Sequence, residues 1–82
     1  MTERTRSNGS LDRAELASYL TELAEEFDGE EGIGVGVGNK RVRLHPPENV
    51  ECTVEVIERS SRLRGSRETV SIELSWKPNS TD

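Results

Sequence analysis

Apolar residues recur first with a helical period and then, from residue 32 onward, with a period of two. Leu16, Leu20, Leu23 and Phe27 fall at i, i+4, i+7 and i+11, with Ala17 and Ala24 beside them and Tyr19 at the stripe's edge. Glu15, Glu22, Glu25, Glu26 and Arg13 take the wet side. Asp12 with Glu15 three residues on gives a capping-box pattern, Leu11 and Leu16 stand at hydrophobic-staple spacing, and Asp28-Gly29 supplies a stop. The pattern predicts an amphipathic helix of about 16 residues.

Residues 32–38 read G-I-G-V-G-V-G, a strand with Ile33, Val35 and Val37 on one face and glycine on the other. Gly38-Asn39 fits a two-residue hairpin loop, which pairs Val35 with Val42 and Ile33 with Leu44. His45-Pro46-Pro47 cannot continue a central strand, because proline has no N–H for the ladder. A third strand begins at Val50, with Cys52, Val54 and Val56 also inward and Glu51, Thr53 and Glu55 outward. Pairing Leu44 with Val50 sets Arg43 opposite Glu51, a favourable cross-strand pair. The fourth strand, V-S-I-E-L-S-W at 70–76, alternates Val70, Ile72, Leu74 and Trp76 with Ser71, Glu73 and Ser75. Glu58 opposite Glu68 places like charges together, yet it aligns Val56 with Val70, Val54 with Ile72, Cys52 with Leu74 and Val50 with Trp76. Ile57 then points outward, and a one-residue slip would turn the apolar set to the wrong face.

The expected architecture is α+β, one N-terminal helix packed on a four-stranded antiparallel β-meander. It forms a single domain over residues 11–77, between a disordered segment at 1–10 and a polar tail at 78–82. In that sheet Trp76 stands in a row with Val50, Leu44 and Ile33. Its expected role is structural, a plug at one end of a thin core whose loss costs about 3–5 kcal/mol.

Composition narrows the function more than the fold. A chain of 82 residues supports one small core and leaves little for a deep substrate cavity. Apolar content of 30% and a mean hydropathy of -0.74 border on disorder, against which the strong periodicity argues for folding. One cysteine excludes an internal disulfide and fits a reducing compartment. No apolar run nears the roughly 20 residues of a membrane span, and no signal-peptide pattern opens the chain, so the expected location is cytoplasmic, with no membrane partner. Net charge is -5, from 16 acidic and 11 basic residues, and only Lys40 and Lys77 are lysines. That balance weighs against general nucleic-acid binding and suits a high-salt cytoplasm.

No motif anchors catalysis. In a G-x-G-x-x-G match starting at Gly32, Val37 stands where the third glycine belongs, and the glycines follow a helix instead of opening one. Strand glycine also marks close approach of another backbone, which makes Gly34 and Gly36 candidate interface positions. His45 and Cys52, each the sole residue of its type, cannot supply a structural zinc site. Cys52 reads as a small core residue and His45 as a solvated loop residue. A Ser/His/Asp triad would consume the only histidine without an oxyanion motif nearby, and the carboxylates sit at helix- and strand-surface spacing. The expectation is a non-enzyme with no catalytic residue, cofactor or metal. Arg59, Arg62, Arg64 and Arg67 crowd one loop. Solvated arginines offsetting nearby glutamates are the plain reading, and contacts to an anion or nucleic-acid backbone the functional one. No aromatic residue is interleaved for base stacking.

The capped D-R-A-E-L-A-S-Y-L-T-E-L-A-E-E-F helix, the glycine-bounded hairpin, P-P-E-N-V-E-C-T-V-E-V and the closing V-S-I-E-L-S-W together resemble the amphi-Trp domain family over about residues 11–77. Trp76 matches the tryptophan of the family's name. The resemblance implies a small protein of archaeal, often haloarchaeal, type and carries over no activity, cofactor or catalytic residue. This chain departs from the family pattern in lacking a short apolar stretch before the helix and in its longer, more basic arginine loop. The expected function is a non-catalytic interaction module, self-associating or binding an unknown protein partner through its sheet face. Its contact surface would be the edges of strands one and four, the glycine face and the outward Ile57. The alternative is a nucleic-acid or anion-binding accessory acting through residues 59–67.

Overall fold

The computed structural model describes residues 2–78. Its elements are α1 (Arg13–Asp28), β1 (Ile33–Val37), β2 (Lys40–Leu44), β3 (Glu51–Arg59) and β4 (Arg67–Ser75), an α+β chain with an N-terminal helix and hairpin-paired antiparallel strands. Asp12 caps α1 from an extended conformation (φ -75°, ψ 169°). Its Oδ1 accepts the Glu15 N–H at 2.7 Å, and Glu15 Oε1 accepts the Asp12 N–H at 3.2 Å, so two donors that the first turn leaves orphaned are satisfied reciprocally. At the other end Gly29 is extended (φ -78°), and its N–H donates to the Glu26 carbonyl at 3.3 Å. The helix therefore stops without a left-handed glycine turn.

Both hairpins adopt the register that the alternation predicts. In the first, Ile33 faces Leu44 and Val35 faces Val42. Gly38 takes φ +61° while Asn39 stays at negative φ, the signature of a type II′ turn, whose twist matches the strands it joins. In the second, Cys52 faces Leu74, Val54 faces Ile72, Val56 faces Val70 and Glu58 faces Glu68, with Ile57 on the opposite face across from Thr69.

The strands make two two-stranded sheets, β1–β2 and β3–β4, and the expected pairs Leu44–Val50 and Arg43–Glu51 are absent from the ladders. Two consecutive prolines at 46 and 47 remove two ladder donors. β2 accordingly ends at Leu44, and β3 does not begin until Glu51. The β3–β4 ladder stops at Glu51–Ser75, leaving Val50 and Trp76 just beyond it. No single sheet carries the expected row of Ile33, Leu44, Val50 and Trp76.

The chain divides into two compact units, one holding α1, β1 and β2, the other being Pro47–Lys77 with β3 and β4. In the first, Ile33 (1% exposed) is the only buried hydrophobic side chain among the described residues, and Val35, Val37, Val42 and Leu44 are half-buried. In the second, every residue of both strands is exposed, because a lone hairpin offers its own faces no second layer. Cys52, expected in a core, is exposed for that reason. Residues 2–12 carry no regular secondary structure, and residues 79–82 of the expected polar tail lie outside the described residues. Among the described residues no helix is long and apolar enough to cross a membrane.

Candidate interaction surfaces

The two-residue turn makes Val37–Lys40 a hydrogen-bonded pair, and pairs alternate along an antiparallel ladder, so the N–H and C=O groups of Gly34 and Gly36 point away from β2. That outer edge meets α1. Glu26 Oε1 accepts the Gly34 N–H at 2.6 Å, and the Tyr19 hydroxyl donates to the Gly36 carbonyl at 2.8 Å. Helix side chains thus replace part of the ladder that an edge strand lacks. The same Glu26 oxygen lies 3.9 Å from Arg41 Nη2, and the Arg41 side chain covers Gly34, where an added Cβ would sit 2.7 Å from Arg41 Nε. Nothing lies within 4 Å of the equivalent point on Gly36. Of the two candidate glycines, Gly34 is buried and its donor is taken; Gly36 keeps an open face.

Because α1 meets β1 along an edge, its apolar stripe is incompletely covered, and Leu16, Tyr19 and Leu20 stay exposed. Between α1 and β1 lies an open cleft of about 940 Å³. Leu11, Leu16 and Leu23 give it apolar lining, and Glu22, Glu25 and Glu26 give it acid. Glu26 is engaged with Gly34 and Arg41, whereas the carboxylates of Glu22 and Glu25 make no hydrogen bond or ion pair among the described residues. Ser7 and Gly9, from the segment expected to be disordered, also line this cleft.

The arginine cluster sits at the far end of the second hairpin. Arg59 and Arg67 are cross-strand partners in the last rung, and Arg62 and Arg64 stand in the loop beyond. Gly65 turns the loop at φ +78°, and the Arg64 N–H donates to Ser61 Oγ at 3.1 Å. None of the four guanidinium groups has a hydrogen bond or ion pair among the described residues. At the apex between two arginines is Leu63, 97% exposed.

Down the hairpin from that tip, one face carries Cys52, Val54 and Val56 opposite Leu74, Ile72 and Val70. Val54 and Val56 are each 62% exposed, Val70 66% and Ile72 56%. Ile57 is exposed on the other face, where its same-strand neighbours Glu55 and Arg59 are charged. Trp76 is half-buried just past the ladder. No group of three or more His, Cys, Asp or Glu side chains converges to hold a metal among the described residues.

The edge contacts of Tyr19 and Glu26 have no periodic signature in the sequence, because a side chain reaching a backbone group needs no matching residue type. Leu63 did leave one: it is the only apolar residue in R-S-S-R-L-R-G-S-R.

Compared with known proteins, residues 1–82 match the model of the Amphi-Trp domain family, so the chain belongs to that family. No curated protein and no solved structure matches it.

Proposed function

We propose that this Amphi-Trp domain is a small non-catalytic module that associates with other copies of itself through the apolar face of β3–β4. The observation that carries this reading is the contiguous exposure of Val54, Val56, Val70 and Ile72 on one face of a hairpin that is a unit by itself. Soluble monomers rarely leave contiguous apolar patches larger than a few hundred Å² open to water, and larger ones mark interaction sites. The glycine strand is a weaker contact surface, since Arg41 and Glu26 already occupy Gly34, and Ile57 is an isolated apolar residue on a polar face. The acidic balance and the single unpaired cysteine support a reducing, high-salt cytoplasm of archaeal type as its setting.

Sedimentation of the wild type and of Val56→Asp/Ile72→Asp across a concentration series tests the reading. The wild type is expected to self-associate and the double variant to lose the symmetric dimer, with unchanged helix content. A monomeric wild type, or association unaffected by the two aspartates, refutes it.

A second reading, a nucleic-acid or anion accessory, is supported by four guanidinium groups around one loop that have no partner among the described residues. It predicts RNA or DNA binding at low salt that disappears when Arg59, Arg62, Arg64 and Arg67 are replaced by serine. Absence of binding at low salt removes it.

A further inference from the structure

The tip of the second hairpin presents an apolar side chain between two basic ones, and the cleft of the first unit presents apolar and acidic side chains. Leu63 projects almost fully into solvent between Arg62 and Arg64, on a loop shaped by the Ser61 hydroxyl and the left-handed Gly65. The α1–β1 cleft offers Leu11, Leu16 and Leu23 as apolar lining; Arg41 also lines it and lies beside Glu26, and Glu22 and Glu25 are unengaged among the described residues. Its volume of about 940 Å³ lies within the range that accommodates ligands several side chains in size. We infer that the Arg62-Leu63-Arg64 tip of one copy docks in this cleft of a second copy, the leucine entering between α1 and β1 and the arginines meeting Glu22 and Glu25. This rests on the self-association reading and adds a second, head-to-tail contact to it. Such a contact joins two different patches, so it extends to a third copy and builds rings or filaments where a symmetric face would stop at two.

Charge complementarity favours a copy of this chain over nucleic acid as the occupant. The protein's net charge of -5 disfavours a polyanion overall, and no aromatic side chain stands among the arginines of the tip to stack on a base. An exposed leucine flanked by arginines instead fits an apolar cleft carrying acid.

The experiment reverses each side separately at one fixed ionic strength. Arg62→Glu/Arg64→Glu makes the tip acidic, Glu22→Lys/Glu25→Lys makes the cleft basic, and Leu63→Ser removes the apolar anchor; all these positions are exposed, so helix content is expected to stay unchanged. In sedimentation each charge-reversed protein alone is expected to lose assembly beyond the dimer, with the head-to-tail contact weakened more than about tenfold, and Leu63→Ser to weaken it as well. Mixing the two reversed proteins is expected to restore it, because acidic tip then meets basic cleft and basic tip meets acidic cleft. Failure of the mixture to pair, or wild-type assembly in the reversed proteins, overturns the inference. If Val56→Asp/Ile72→Asp still abolishes a dimer in that case, the apolar-face reading survives alone. If charge reversal acts and the aspartates do not, the tip contact stands and the face reading falls. Binding of labelled single-stranded RNA by the wild type that the acidic tip abolishes, with assembly unaltered, assigns the tip to nucleic acid and also overturns the inference.

Discussion

Replacing Glu26 with alanine tests how α1 is held to β1. Glu26 Oε1 accepts the N–H of Gly34, a buried residue, at 2.6 Å, and the alanine leaves that donor with no acceptor. An unsatisfied buried donor costs about 1–3 kcal/mol. The lost pairing with Arg41 adds only a few tenths, about 0–0.5 kcal/mol, since the atoms are 3.9 Å apart and Arg41 is 65% exposed. Alanine's better helix propensity returns a similarly small amount. The net expectation is a loss of about 1–3 kcal/mol. Against the roughly 4–12 kcal/mol available to a chain this long, that is a substantial fraction. Glu26→Gln retains an acceptor and is expected to lose less than about 1 kcal/mol. Urea titration followed by helix circular dichroism gives both values, and a lowered midpoint at unchanged slope identifies a pure stability effect. Amide exchange at Gly34 supplies the local readout: faster in Glu26→Ala, near wild type in Glu26→Gln. If Glu26→Ala matches the wild type in midpoint and in Gly34 protection, the carboxylate is not what ties the helix to the strand edge.

Five other substitutions, at four positions, give further tests. Gly34→Ala brings a Cβ to 2.7 Å from Arg41 Nε and displaces a flexible, exposed side chain, so the expected cost is below about 1 kcal/mol, whereas Gly36→Ala meets open space and is expected to stabilise by about 0.4–1 kcal/mol; the reverse order in urea titration would contradict the geometry. Asp12→Ala removes the acceptor of the Glu15 N–H and is expected to cost about 0.5–2 kcal/mol with fraying at the start of α1, while Asp12→Asn is expected to be nearly neutral; equal losses for both in thermal melts would discount the cap. Trp76→Ala is expected to cost well under the ~3–5 kcal/mol of a fully buried aromatic, because Trp76 is only half-buried; a loss at or above that range in urea titration would refute this.

What was legible in the sequence is what depends on near neighbours. The capping box, both hairpin registers and the outward Ile57 follow from turn chemistry and period-two alternation, which act over a few residues. Across 45–50 the apolar alignment of Leu44 with Val50 competes with two missing proline donors, and the ladders end at Leu44 and resume at Glu51. Trp76 lies half-buried just past the last β3–β4 rung, outside the reach of the alternation argument. At the candidate surfaces the arginines were visible as a cluster. Their lack of partners among the described residues, the exposure of Leu63 and the reach of Tyr19 and Glu26 to the β1 edge depend on three-dimensional placement, which leaves no pattern in the sequence.

The two rungs nearest the tip of the second hairpin are both like-charged, Glu58 opposite Glu68 and Arg59 opposite Arg67, while the rungs from Cys52–Leu74 to Val56–Val70 are apolar on one face. Each like-charged rung opposes closure on its own face. This hairpin is therefore expected to unzip from the loop inward, with amide exchange fastest at residues 58, 59, 67 and 68 and slowest around Val54 and Ile72. During folding the reverse order is expected, with contact among the valines near the middle preceding closure of the turn. A loop that shuts last and opens first can reshape against whatever it meets without disturbing the apolar rungs behind it.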